Sequence, residues 1–158
     1  MTHSVETQWM GKMQFNASVN GHTYIMDAPE RVGGEDRGSI PKPFMLTALS
    51  GCTGMDVAAL LRKAGSLPDI FSLRVEGEIS KRHPIEYVAA HLIYNFTGKP
   101  ELKQAALDAV TTSQEKLCGV SSMFKKIMPV TWDVFYNDEL VFTNKPMVEQ
   151  QITEQTNV

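Results

Sequence analysis

Cys52 and Cys118 are the two cysteines of this 158-residue sequence and its strongest candidates for chemistry. Cys52 lies in the segment LSGCTGMDVAALLRKAG, between Gly51 and Gly54, inside a pattern that is typical of a helix. Glycine within a helix costs about 1 kcal/mol relative to alanine, but it leaves room for another backbone, side chain or substrate beside the sulfur. The alternative is close helix packing around two unreactive cysteines.

If the two sulfur atoms meet in the fold, they have the layout of a peroxidatic and a resolving thiol. The first attacks a peroxide and becomes a sulfenic acid, and the second condenses with it to a disulfide that an external reductant reopens. Only the thiolate attacks, and Asp56, one helical turn after Cys52, disfavours a second negative charge there. The helix therefore does not activate its own cysteine, and we expect a cation from elsewhere in the chain.

Four basic residues are candidates for that cation. Three lie in or beside the glycine-rich loop GGEDRGSIP and the fourth in the first predicted strand; they are Arg31, Arg37, Lys42 and Lys12. The alternative for each is an ordinary solvated surface charge.

The first half of the sequence predicts a hairpin followed by a long helix. KMQFNASVNGHTYIMDAP has strand-like flanks around Asn20-Gly21, a dipeptide that favours a type I′ turn. Pro43 suits a helix start, and Gly65 suits its end. The helix between them is mostly apolar, so we expect it to be buried.

The second half predicts strands interrupted by one more helix. IFSLRVEGEIS and EYVAAHLIYNFTG are expected to pair antiparallel, a helix runs from Pro100 towards Cys118, and PVTWDVFY is followed by a short partner, ELVF. The order predicts an α+β fold, in which an antiparallel sheet carries helices on one face. We expect one domain over residues 1–143 and a polar tail over 144–158.

Composition excludes several classes of function. The chain is 42% hydrophobic and 21% charged, with a net charge of -3, so it is typical of a globular protein and not of a nucleic-acid-binding one. No uninterrupted apolar run reaches about 20 residues, and the N-terminus lacks a signal-peptide core. We therefore expect a cytoplasmic protein with no membrane partner. The four histidines are not at ligand spacing from the cysteines, so we expect no metal and no cofactor.

Three segments resemble the OsmC/Ohr family of proteins that handle organic hydroperoxides. PKPFMLTALSGCTGMDVAALLRKAG and CGVSSMFK are similar to its two cysteine motifs, and RVGGEDRGSIP is similar to the loop before its central helix. The resemblance extends from about Trp9 to Tyr136. It implies an α+β fold with a long central helix, and an intertwined homodimer whose two active sites lie at the subunit interface.

The resemblance also implies a chemistry. Family members reduce organic hydroperoxides with two cysteines, a peroxiredoxin type of activity used against oxidative stress, and dithiols such as dihydrolipoyl groups regenerate them. Cys52 matches the peroxidatic cysteine and Cys118 the resolving one. Arg31 is the best match for the arginine that holds the thiolate in OsmC-type members. In Ohr-type members that arginine lies near the place of Lys12.

Two positions depart from the family pattern. Lys42 stands where the family has the glutamate that orients the arginine, and Gly119 stands where many members have proline. A lysine there either favours the thiolate directly by Coulomb attraction or displaces Arg31. Asp56 is a candidate replacement for the missing carboxylate.

Two functions are left open, beside a purely structural dimer that would use the two glycines least well. One is a thiol peroxidase for organic hydroperoxides; the other is a dimer without enzymatic activity that binds a small apolar ligand in the same interface pocket. Methionines suit an apolar pocket of this kind. In either case we expect the binding residues to surround the first cysteine motif: Lys42, Asp56, Met55 and Gly51.

Overall fold

The computed structural model of the protein describes residues 2–146, in which strands and helices follow in the order β-β-β-α-β-β-α-α-β-β. This mixture of helix and antiparallel sheet confirms the predicted α+β class. Backbone contacts divide the chain into two compact units, one up to Cys52 and one from Thr53 onward. The single domain over 1–143 stays a prediction, and most of the predicted tail, from residue 147 onward, lies outside the described residues.

The N-terminal unit contains a three-stranded antiparallel sheet. Its strands are consecutive in the chain and in the sheet: β1 (Glu6–Gly11), β2 (Gln14–Val19) and β3 (His22–Met26). Asn20 and Gly21 have φ of 50° and 81°, as a type I′ turn requires, so the hairpin is confirmed. Strand β1 was not expected, and Lys12 lies in the turn after it with φ 47°, not in a strand as predicted.

The glycine-rich loop is organised around a buried carboxylate. Asp27 is only 3% exposed, and its carboxylate accepts the backbone N–H groups of Ala28 (2.8 Å), Glu35 (3.0 Å) and Arg37 (3.2 Å). Burial by itself raises the pKa of Asp27, but these three hydrogen bonds and the charge of Arg37 lower it on balance. The loop is therefore held in one conformation by backbone donors converging on a charge.

Two glycines of that loop are required by close backbone approach. A Cβ at Gly34 would lie 1.8 Å from the carbonyl oxygen of Ala28, and one at Gly38 would lie 2.2 Å from the carbonyl oxygen of Ile25. No other residue fits at these distances. The fold of the loop itself therefore requires glycine at these two positions, whether or not the loop binds a ligand.

Helix α1 (Pro43–Lys63) has the predicted boundaries. Gly65 follows it with φ 64°, and its N–H donates to the carbonyl of Arg62 (3.2 Å), while the N–H of Ser66 donates to that of Leu61 (3.0 Å). This pair of bonds is a Schellman motif, which satisfies carbonyls that the helix leaves open. Pro43 and Gly65 therefore act as start and stop signals.

Only one stripe of α1 is buried in the single chain. It consists of residues four apart, Leu49, Thr53, Val57 and Leu61, each at most 1% exposed. Met45 and Met55 are 44% and 72% exposed. The expectation of a helix buried on all sides is thus wrong for one chain, because the apolar residues extend around more of the helix than the chain covers.

Helix α1 also passes, by length and composition alone, the criteria for crossing a membrane. It contains no long uninterrupted apolar run, because Thr, Ser and Gly interrupt the apolar residues without making the segment polar on average. Core helices of soluble proteins pass the same criteria. The feature is therefore weak support for a membrane span.

The C-terminal unit contains a four-stranded sheet in the order β4-β5-β6-β7. Its strands are β4 (Ile70–Ile79), β5 (Tyr87–Thr97), β6 (Val130–Tyr136) and β7 (Glu139–Thr143). As predicted, β4 and β5 pair antiparallel, but β5 and β6 pair parallel. A parallel pair needs a long crossover, and here helices α2 (Lys103–Thr112) and α3 (Gly119–Lys125) supply it.

Candidate active site

Cys52 and Cys118 come together with one carboxylate. The Sγ atoms of both cysteines and a carboxylate oxygen of Asp56 lie within 4.8 Å of one another. Cys52 is carried by the same unbroken helix as Asp56 and is half-buried, whereas Cys118 is 3% exposed just before α3. Both are thiols, with no disulfide bond between them. The folded chain thus places side by side the two sulfur atoms that the two-thiol hypothesis needs.

These three donors are one fewer than the four protein ligands of a structural zinc site. Three is also the number of protein ligands in a catalytic zinc site, so the donor count does not decide the matter. We interpret the cluster as a thiol pair beside a carboxylate because it brings together the two sulfur atoms of the two-thiol hypothesis. The expectation that the protein holds no metal stays a prediction.

The two glycines beside Cys52 are not explained by packing within the chain. A Cβ at Gly51 would meet nothing within 4 Å, and one at Gly54 would meet only the side chain of Leu73, at 3.9 Å. Close packing of described residues therefore does not account for Gly51, whereas Gly54 has ordinary van der Waals contact with Leu73. The alternative of helix packing around unreactive cysteines is not decided by these contacts. The space beside Gly51 stays open next to a half-buried sulfur.

A buried row of hydroxyl groups ends at Asp56. The Oγ of Ser113 donates to Oδ2 of Asp56 (3.0 Å). The hydroxyl of Ser113 has only one proton, which it gives to Asp56. In its hydrogen bond with Oγ1 of Thr53 (2.8 Å), Ser113 is therefore the acceptor and Thr53 the donor. Thr53 then accepts from the hydroxyl of Tyr94 (2.8 Å). In this arrangement every hydroxyl proton of the row points towards the carboxylate of Asp56.

Gln114 fixes the other end of this row. Its Nε2 donates to the Tyr94 hydroxyl (2.6 Å) and to Thr53 (3.3 Å), and its Oε1 accepts from the hydroxyl of Ser121 (2.6 Å). Burial raises the pKa of Tyr94 to about 12, against the opposing effect of hydrogen bonds with Thr53 and Gln114. The Tyr94 hydroxyl therefore keeps its proton at neutral pH and remains a donor. A satisfied buried network of this kind holds the surrounding elements in one arrangement.

Cys118 lies between a π-helical turn and helix α3 and has an extended backbone conformation. The chain reaches it through a π-helical turn, Ser113–Leu117, in which the N–H of Cys118 donates to the carbonyl of Ser113 (2.8 Å). Cys118 itself has φ -68° and ψ 102°, and its Sγ accepts the N–H of Ser121 (3.3 Å) as the N-terminal cap of α3. π-helical turns are frequent at functional sites, and this one sets the direction of the sulfur.

Two of the four candidate cations are paired with one carboxylate in the N-terminal unit. Nζ of Lys12 lies 2.5 Å from Oε1 of Glu35, and the guanidinium of Arg37 lies 2.9 Å from Oε2. The hydrogen bond from Lys12, followed by the charge of Arg37, lowers the pKa of Glu35. Both basic residues therefore have a local partner that the sequence reasoning did not foresee.

The other two candidates differ from each other. Arg31 lies in the 3₁₀ turn Glu30–Val32, is exposed, and has no ion-pair partner among residues 2–146. Lys42 is half-buried and interacts with its surroundings just before α1. The role of either residue at Cys52 stays a prediction.

Sequence reasoning missed the polar residues that surround the thiols. They are Thr53, Tyr94, Ser113, Gln114, Ser121 and Lys125. The signal for Thr53 was present, because it interrupts the apolar stripe of α1 at a buried position. Tyr94 alternates with Leu92 and Phe96 on the buried face of β5, which also marks a polar group that must find a partner.

Comparison with known proteins agrees with this fold. A sequence model of the family described as OsmC-like protein matches residues 34–133. Protein YhfA of Escherichia coli strain K12 is 30% identical over 128 residues, which cover 78% of this chain and 90% of that relative.

Solved structures agree as well. The crystal structure of a hypothetical protein from Aquifex aeolicus VF5 superposes with a TM-score of 0.71 at 25% identity, covering 86% of this chain and 98% of that one. An organic hydroperoxide resistance protein OsmC from Legionella pneumophila shares the fold, with a TM-score of 0.63 at 13% identity over 86% of this chain and 97% of that one. With the family match spanning both cysteine motifs, the chain belongs to the OsmC-like protein family.

Proposed function

We propose that the protein is a thiol peroxidase that reduces organic hydroperoxides in a peroxide stress response. The observation that carries the proposal is the approach of the two Sγ atoms to within 4.8 Å. Cys52, the half-buried thiol, is the attacking residue, because peroxide can reach it past the open space at Gly51. Cys118 is buried behind it and resolves the oxidised product.

The proposed reaction balances in three steps. The Cys52 thiolate attacks the hydroperoxide, so that an S–O bond forms, the O–O bond breaks, and the alcohol leaves with a proton. Cys118 then attacks the sulfenic sulfur of Cys52, a disulfide forms, and water leaves. A dithiol reductant restores both thiols by exchange, which suits the reducing cytoplasm in which we place the protein.

A cation at Cys52 is part of the proposal. Asp56 lies beside both sulfurs, and a second negative charge next to it is unfavourable without a counter-charge. Arg31 is our candidate, since it matches the family's arginine and has no ion-pair partner among residues 2–146. Lys42 is the second candidate, because it stands where the family has the glutamate that orients the arginine.

We further propose that the active unit is a homodimer. Helix α1 leaves Met45 and Met55 exposed in the single chain, and exposed apolar surface of this kind marks an interaction site. A second copy that covers α1 would also close the open side of the Cys52 pocket. The site would then have residues from both subunits, as in the family.

The test is the mass of the reduced protein after one equivalent of cumene hydroperoxide. We expect a loss of two hydrogens, corresponding to the disulfide, in the wild-type protein. Cys118→Ser should stop at the addition of one oxygen, and Cys52→Ser should keep its mass. An unchanged wild-type mass would overturn the peroxidase proposal.

The second candidate function is binding of a small apolar ligand without turnover. It is favoured by the exposed Met55, which is 72% exposed close to the cysteine, and by the departure at Lys42. In this case the mass stays unchanged, while an apolar ligand raises the melting temperature saturably. The two functions are thus separated by the same two measurements.

A further inference from the structure

Lys125 is the last residue of α3, the helix whose N-terminal cap is Cys118. The two residues are seven apart, which is two helical turns, so they lie on the same side of α3. The side chain of Lys125 extends back towards the start of the helix, where Nζ donates to the carbonyl oxygen of Gln114 (2.5 Å). Gln114 precedes Cys118 by one turn. The ammonium is thereby fixed near the chain segment that carries the sulfur.

A second contact restrains the same ammonium. Nζ of Lys125 lies 4.8 Å from the centroid of the Trp132 ring on β6, a distance at which a cation is attracted to the face of the ring. Lys125 is an exposed residue overall, and the two contacts hold the Nζ end of its side chain in place. Lys126, the next residue, is likewise exposed, but among residues 2–146 no side-chain hydrogen bond or ring contact of this kind is made by its ammonium.

Titratable groups near Cys118 are contributed by helix α1, strand β5, the π-helical turn and helix α3. Helix α1 contributes the carboxylate of Asp56, within 4.8 Å of the sulfur. Strand β5 contributes the hydroxyl of Tyr94, which stays neutral, and α3 contributes Lys125. Glu115, in the π-helical turn, interacts with Lys125. A negative charge on Cys118 therefore faces the carboxylate of Asp56, and Lys125 is a positive group that offsets this repulsion.

We propose that Lys125 is a positioning residue that stabilises the thiolate of Cys118 and so prepares it to attack oxidised Cys52. The N–H of Ser121 contributes to the same end by donating to Sγ (3.3 Å). In the attack, the Cys118 thiolate forms the S–S bond, the S–O bond of the sulfenic acid breaks, and the hydroxide takes up a proton to leave as water. The role in catalysis rests on the proposed function, whereas the effect on ionisation does not.

The effect of Cys118 on the pKa of Lys125 supports this assignment. Burial lowers the pKa of Lys125, and the negative charges of Cys118 and Glu115 oppose that lowering. Coupling between two titrating groups is reciprocal. If a Cys118 thiolate favours the charged lysine, then the charged lysine favours the thiolate to the same extent.

The test is a pH titration of Cys118 by the absorbance of its thiolate at 240 nm, on the Cys52→Ser background. A Cys52→Ser/Cys118→Ser protein supplies the tyrosine baseline. We expect Lys125→Met to lower the ionised fraction of Cys118 at pH 7.5 by about 3- to 10-fold, which corresponds to a displacement of about 0.5 to 1 pH unit. Lys125→Arg keeps the charge and should stay within about twofold of the parent.

Lys126→Met is the matched control, since it removes the neighbouring positive charge from an exposed position, and it should leave the titration unchanged. Equal titrations for Lys125→Met and Lys126→Met would overturn the proposal, and so would a failure of Lys125→Arg to restore ionisation. Far-ultraviolet circular dichroism on each variant establishes that it is folded. The assay contains no peroxide, so a failed peroxidase assay with a positive titration would reject the proposed function but not the ionisation by Lys125.

Discussion

At the scale of single residues, Thr53 links the helix that carries Cys52 to the turn that leads to Cys118. It is fully buried in the stripe of α1 where an apolar residue would pack equally well. Its hydroxyl donates to Ser113 and accepts from Tyr94 and Gln114. One oxygen therefore connects α1, β5 and the π-helical turn that precedes Cys118.

Replacing Thr53 by Val tests the stabilising effect of that oxygen. The shape is kept, but Tyr94 and Ser113 each lose a partner in a buried environment, so we expect the free energy of unfolding to fall by about 1 to 3 kcal/mol. Urea denaturation followed by circular dichroism measures it. Thr47→Val on the same helix is the control, since Thr47 is exposed and its hydroxyl donates to the carbonyl of Pro43 in the same helix. Equal losses in the two variants would contradict the network's role.

At the scale of elements, local sequence patterns were sufficient to predict those turns, helix ends and strands whose structure depends on their own residues. The turn at Asn20-Gly21, the Pro43 start and Gly65 end of α1, and the alternation of β4 were all predictable, because turn chemistry and periodicity act over a few residues. The parallel pairing of β5 with β6 was not predictable in this way. It depends on where a crossover returns the chain, and strand β1 lacked a periodic apolar signal because nearly all of it is exposed.

In the candidate site, too, the residues within a sequence motif were predictable, whereas contacts between residues far apart in the sequence were not. The motifs identified Cys52 and Cys118, but the row from Tyr94 to Asp56 joins groups that are far apart in sequence. Lys125 was overlooked because a lysine in a helix is usually a surface charge. Its contacts with Gln114 and Trp132 exist only after α3 has packed on β6.

Strand β6 provides a test of pH dependence that is separate from the thiols. Asp133 accepts hydrogen bonds from His91 (3.0 Å) and Lys145 (3.0 Å). Burial on its own raises the pKa of Asp133, but hydrogen bonds with Thr143 and Lys145 and the charges of its neighbours lower it on balance below 3.8. The ionised carboxylate thus stabilises the fold above that pH, and this contribution is lost as the pH falls through the lower native value.

Asp133→Asn should therefore lower the free energy of unfolding at pH 7, and its difference from wild type should narrow as the pH falls below about 4. Urea denaturation at a series of pH values from 7 to 3 measures this difference. Asp108→Asn, at an exposed position of α2, should give a small difference that does not change with pH. A difference for Asp133→Asn that is constant or grows in acid would contradict the assignment.

At the scale of the whole molecule, the apolar residues that α1 leaves exposed are the main feature that one chain does not explain. Met45 and Met55 are exposed on a helix that is otherwise apolar, and no described residue meets a Cβ placed at Gly51. An apolar helix of this kind is stable in water when a partner covers it. The proposed second copy covers α1 and completes the pocket at the same time.

Light scattering on a size-exclusion column should give about twice the chain mass of 17.6 kDa at micromolar concentration. Met55→Glu should shift the protein towards a monomer, because it would bury a charge in the apolar contact. Met123→Glu changes an equally long, exposed methionine on α3 and should leave the dimer intact. A monomeric wild-type protein, or dissociation by Met123→Glu but not by Met55→Glu, would place the interface elsewhere and leave the Cys52 pocket formed by a single chain.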